Sequence, residues 1–130
     1  MHRSRLSTLF IDCPSDSFEA GSSFWSGALG KELLVSPNNE RYRTLRGRVG
    51  GAGGPIVGLQ RVPDEERAVH LDIETDDIEA EVKRLERLGA TIKARIRNHV
   101  VMVAPSGHPF CVVNVHRPDF EAASTLWPDD

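Results

Sequence analysis

Two periods of apolar and polar residues alternate along this chain, and the switches between them mark out its elements. Over residues 6–13, Leu9, Ile11 and Cys13 alternate with Thr8, Phe10 and Asp12, which is the two-residue period of a strand. Pro14-Ser15-Asp16-Ser17 then turns the chain and supplies helix-capping side chains. Phe18, Trp25, Ala28 and Leu29 share one face at helical spacing, which places Trp25 in the core, and Gly30 stands where that helix should stop. The pattern predicts strands over 32–35, 41–46 and 55–62, the first two separated by a Pro37-Asn38-Asn39 turn. Residues 47–54 hold five glycines and read as a loop.

Beyond residues 63–67, the one plausible linker, the pattern starts again. Over 68–75, Val69, Leu71 and Ile73 take one face of a strand, while His70, Asp72 and Glu74 take the other. Asp76-Asp77 caps a helix that carries Ile78, Val82, Leu85 and Leu88 at helical spacing and ends at Gly89. Strands follow over 91–96, 100–104 and 110–115, separated by turns at Asn98-His99 and Pro105-Ser106-Gly107-His108. Strand, helix and three strands therefore occur twice, with Leu29-Gly30 and Leu88-Gly89 at matching places. The expected fold is α+β: one domain of two βαβββ modules, 5–62 and 68–115, forming a curved mixed sheet around a cavity with the helices on the outer face. The tail, 116–130, lies outside both modules, and its Phe120, Leu126 and Trp127 should pack on the domain or on a partner.

Composition narrows the function classes. At 130 residues, 39% hydrophobic and 27% charged, the chain can bury a core of its own. A formal net charge of -3 gives no electrostatic case for nucleic acid, and Arg41, Arg43, Arg46 and Arg48 read as a solvated strand edge. No stretch approaches the roughly 18 apolar residues of a membrane span. The basic start is followed only by a strand-length apolar run, so no secretory leader is expected. Cys13 and Cys111 lack motif spacing, and two isolated thiols suit the cytoplasm. The 47–54 glycines lack the Lys-Ser/Thr of a phosphate loop. His99 and His108 are expected at turns.

The run His70-Leu71-Asp72-Ile73, Asp76-Asp77-Ile78, Leu85, Leu88-Gly89-Ala90 and Pro105-Ser106-Gly107-His108-Pro109-Phe110 resembles the second half of the vicinal oxygen chelate superfamily. Phe24-Trp25 and Leu29-Gly30 resemble its first half, and the glyoxalase-like subgroup is the nearest match. That superfamily holds glyoxalases, epimerases, extradiol dioxygenases and bleomycin-resistance proteins. Metal-dependent members carry one ligand on the first and last strand of each half. The resemblance sets those positions at Thr8, Gly58 (with Gln60 two residues on), His70 and Cys111. Of these, only His70 is a usual ligand, and Cys111 would be an unusual thiolate one. The resemblance therefore implies no cofactor, with a divalent metal on His70 and Cys111 as the alternative.

Two functions stay open. One is a small-molecule binding protein of the bleomycin-resistance kind, with Thr8, Phe10, Asp12, Gln60 and Cys111 lining the cavity. Phe10 there suits an aromatic ligand, and Asp12, Asp72 and Glu74 suit a basic one. The other is a lyase, isomerase or dioxygenase-type enzyme, with His70, Asp72 and Glu74 as catalytic residues and His70 as base or metal ligand. A fused or regulatory module is a third class, which the length disfavours. The resemblance also implies a homodimer, while charge and hydropathy argue against nucleic acid and membrane as partners.

Overall fold

A computed structural model describes residues 1–29, 31–46, 55–63 and 69–129. Gly30, the 47–54 loop and most of the 63–67 linker lie outside the described residues.

The first strand, β1 (His2–Pro14), starts four residues before the apolar run. Its polar N-terminal part is strand because His2 and Ser4 pair with residues 125–127 of the tail and are buried there, not because they are apolar. A single 3-10 turn at Ser15–Ser17 leads into α1 (Phe18–Leu29). The meander β2 (Glu32–Val35), β3 (Tyr42–Arg46) and β4 (Ile56–Val62) follows, with antiparallel pairing throughout. The C-terminal part of β1 pairs with β4 in parallel, from Thr8↔Ile56 to Pro14↔Val62. The repeat is as the sequence predicts: β5 (Val69–Thr75), α2 (Ile78–Arg87), β6 (Thr91–Ile96), β7 (His99–Val103) and β8 (Pro109–Asn114). Here β5 pairs with β8 in parallel, and β6, β7 and β8 form the antiparallel meander. A helix between first and second strand is what lets first and last strands run parallel in each half. The strand order is β2-β3-β4-β1-β5-β8-β7-β6, and the fold is mixed α+β.

Two compact units divide the chain inside β1 and inside β5: residues 1–7 with 71–130, and residues 8–70. The 8–70 unit builds its core from Cys13, Phe18, Leu45 and Leu59, with Trp25 and Ile11 packed against it. The other unit buries Val82 and Leu85 of α2 against Met102, Phe110 and Val112, with Leu71 and Ile73 alongside. Asp77 caps α2 by accepting from the Ala80 amide at 3.0 Å. Gly89 (φ +109°) ends that helix in a conformation glycine adopts without strain.

The tail adds two elements without a periodic signal, α3 (Phe120–Ala123) and β9 (Thr125–Trp127). Elements of four and three residues are too short to show a period. Their positions come from contacts: β9 pairs with β1 from His2↔Trp127 to Ser4↔Thr125, and Phe120 is buried.

Candidate functional site

In the 8–70 unit, one sheet face gathers the residues expected to line a cavity. Register sets Phe10 opposite Gly58 and Asp12 opposite Gln60, and β3 adds Thr44 beside Gly58 and Tyr42 beside Gln60. A Cβ at position 58 would stand 2.9 Å from Phe10 Cε1 and 3.1 Å from the Arg43 carbonyl oxygen. Gly58 is therefore the hollow into which the Phe10 ring lies. That ring has Tyr42 on one side, with centroids 5.4 Å apart, and the His70 imidazole on the other at 6.5 Å. Tilts of 47° and 45° leave ring faces and edges available together. All three side chains are half-buried.

A polar row borders this aromatic surface. With its amide oriented by its neighbours, Gln60 donates to Asp12 Oδ1 and accepts from Arg41 Nη2, both at 3.3 Å. Arg41 also stands over the Tyr42 ring, 5.7 Å from its centroid. Thr8 is buried. Arg43 turns instead to Glu19 and lies over Phe18 at 4.5 Å. Its hydrogen bond holds the Glu19 carboxyl below its ordinary pKa against a small desolvation cost. Arg43 is thus an ion-pair partner, not a free anion site.

Along β5, His70, Asp72 and Glu74 meet different surroundings. Asp72 stands opposite Cys111 on β8. The Cys111 thiol is buried, and the His70 and Asp72 side chains are half-buried. Glu74, two residues on, is fully buried. It accepts from Arg5 Nε and from the His116 amide at 3.1 Å, and His116 Nδ1 stands 3.2 Å away. Arg5 Nη2 also donates to Asp119 at 2.7 Å. That bond, with help from Glu74, raises the Arg5 pKa against the opposing effect of burial, and it lowers the Asp119 pKa. Ser7, His116 and Glu74 fall in the hydrogen-bonded order of a nucleophile, base and acid. Ser7 has no exposed surface, however, so no substrate reaches it. The geometry makes this group the anchor of the tail, with Glu74 fully buried between Arg5 and His116.

Periodicity alone did not reveal His116 and Arg117 as partners of Glu74, Ser7 as a partner of His116, or Asp119 as a partner of Arg5. The only sequence signal was the density of ionisable residues just after β8. His108 lies at an exposed turn, hydrogen-bonded to Ser106 at 2.8 Å, whereas His99 begins β7 and is half-buried. Cys13 and Cys111 are both free and buried, and burial pushes the Cys13 thiol pKa up.

A family described as the glyoxalase-like domain matches residues 8–113, and the chain belongs to it. Solved structures agree on the fold. A glyoxalase/bleomycin resistance protein/dioxygenase superfamily member from Vibrio splendidus 12B01 aligns with TM-score 0.57 at 18% identity, over 86% of this chain and 99% of that one. A methylmalonyl-CoA epimerase variant from Streptomyces coelicolor, in complex with 2-nitronate-propionyl-CoA, aligns with TM-score 0.58 at 19% identity, over 88% and 98%. The Mn(II)-bound glyoxalase from Novosphingobium aromaticivorans gives TM-score 0.63 at 16% identity, over 99% of this chain but 43% of that one. No curated protein sequence matches. Among the described residues, no helix is long and apolar enough to cross a membrane.

The four-strand metal cage implied by the superfamily does not fit this chain. At position 58 there is no side chain, and an aromatic ring fills the space where one would stand. Thr8 offers only a buried neutral hydroxyl.

Proposed function

We propose that this protein binds a small organic molecule of aromatic character, without a metal, on the sheet face that carries Phe10. The observation behind this reading is the Phe10 ring seated over Gly58 between Tyr42 and His70. A superfamily ligand position has been replaced by apolar surface with a polar border of Asp12, Gln60 and Arg41. Surfaces of that kind hold flat ligands by stacking and orient them through a few polar groups. The Asp12 carboxylate favours a ligand with a hydrogen-bond donor or positive charge. The two free thiols suit the reducing cytoplasm.

The test is a thermal-shift and calorimetric screen of neutral and cationic aromatic compounds, repeated on Phe10→Ala. Binding by at least one compound, weakened tenfold or more in the variant, supports the reading. No binding by any compound, or undiminished binding by Phe10→Ala, overturns it.

A second reading takes His70 and Cys111 at the superfamily's ligand positions, with Asp72 opposite Cys111 on the neighbouring strand. Imidazole, carboxylate and thiolate suit a zinc-like ion, and three protein ligands are what catalytic zinc sites retain. Such an ion would act as a Lewis acid toward a substrate oxygen. In that case the protein is an enzyme with His70 as ligand. Metal content of untagged protein, before and after His70→Ala, decides between the two readings.

A further inference from the structure

The unit of residues 1–7 and 71–130 has a cavity of about 560 Å³ that the aromatic face of the other unit does not explain. Leu71 and Ile73 form one wall, on the opposite face of β5 from Asp72 and Glu74. Leu85 of α2 and Phe110 of β8, both buried, reach it from the core. Leu88, 66% exposed at the end of α2, and Leu6, 39% exposed on β1, stand at its solvent side. Trp127 of the tail completes the lining.

The charged groups on this wall are paired with one another or with neighbouring carboxylates. Glu81 is fully buried and accepts from Arg84 Nε at 2.7 Å and Nη2 at 2.9 Å, with His2 Nε2 at 2.9 Å. The Trp127 indole N–H donates to Ser4 Oγ at 2.9 Å, and the Arg84 guanidinium lies 3.9 Å from the Trp127 ring centroid. Arg5 spends Nε and Nη2 on Glu74 and Asp119, while its buried Nη1 has no hydrogen-bond partner among the described residues. The charges facing the cavity are thus already paired. An ionised ligand would lose its hydration without gaining a partner, whereas a neutral apolar one loses little. A volume of this size lies within the range of small-molecule sites.

We infer that this cavity is a second binding site, for a neutral, apolar small molecule, independent of the Phe10 face. The probe is N-phenyl-1-naphthylamine, a neutral fluorophore, compared with the anionic 8-anilino-1-naphthalenesulfonate. In Phe10→Ala, which lacks the aromatic surface of the proposed function, the neutral probe should bind with one-to-one stoichiometry and at least tenfold more tightly than the anion. Leu88→Asp puts a charge at an exposed position that folding tolerates, and it should weaken the neutral probe tenfold or more. Ala104→Phe, which fills space on the cavity wall, should do the same. Probe binding that persists in Phe10→Ala and is lost in Leu88→Asp separates this site from the proposed function. Several outcomes would overturn the inference: no binding of the neutral probe, equal binding of the anion, or no change in Leu88→Asp when circular dichroism shows that variant folded. Sedimentation showing that the groove is occupied by a second copy, released by Leu88→Asp, would overturn it as well.

Discussion

Replacing Glu81 with Gln would test whether the buried ion pair of α2 holds the tail-bearing unit together. The carboxylate has no exposed surface and serves Arg84 twice and His2 once. Gln keeps the shape but removes the charge and turns an N–H₂ toward one of those donors. Breaking a fully buried pair costs about 3–5 kcal/mol. Arg84 keeps 19% of its side-chain surface in water and rests on Trp127, so part of its charge stays solvated. The expected loss is therefore about 2–3 kcal/mol at neutral pH, in line with lost charge-assisted hydrogen bonds. For a chain of this length that lowers Tm by roughly 10 °C, at about 4 °C per kcal/mol.

The pH dependence gives a sharper test. Burial opposes ionisation of Glu81, but hydrogen bonds from Arg84, His2 and Ser4 outweigh it, so its folded pKa lies below the ordinary value. The unfolded chain then binds its proton first as pH falls. The stabilisation is complete above the unfolded pKa of about 4.3 and is lost as pH drops through the lower folded value. Urea or thermal unfolding of both proteins from neutral pH down to about pH 3 should show a gap that is constant at high pH and shrinks below about pH 4.3. Glu19, Asp119 and Asp129 are also depressed but are present in both proteins, so they cancel in the comparison. A gap under about 0.5 kcal/mol at neutral pH, or one that does not change with pH, would refute the reasoning.

Two further predictions follow from the packing. Gly58→Ala places a Cβ 2.9 Å from Phe10 and 3.1 Å from the Arg43 carbonyl. The ring can move and the backbone cannot, so urea unfolding should report a loss of about 1–3 kcal/mol, with weakened aromatic-ligand binding. Truncation after Val115 removes buried Phe120, the Asp119 partner of Arg5 and the β9 pairing. Its Tm should fall by about 8 °C or more, from a loss of about 2 kcal/mol at least; an unchanged Tm would show that the tail anchors nothing.

Local rules read much of this protein from its sequence. Alternation over 69–75 separated His70, Asp72 and Glu74 from Val69, Leu71 and Ile73, because side chains on a strand point to opposite faces in turn. The Asp77 cap and the spacing of Ile78, Val82 and Leu85 located α2, because those interactions lie within one or two turns. The doubling of strand, helix and three strands then carried the fold, since each element declared itself within its own residues.

Tertiary structure alone decided how the three β5 residues differ. Glu74 is enclosed because the chain returns after β8 and brings His116, Arg117 and Asp119 to Arg5 and Glu74, contacts 42 or more residues apart in sequence. Cross-strand register set Phe10 over Gly58 and Asp72 beside Cys111. The hydrogen-bond ladder fixes such pairs between distant segments, and a period along one strand says which face a side chain takes but not what stands opposite it. The face of each site residue was therefore legible in the sequence, while its neighbours, and so its chemistry, came only with the fold.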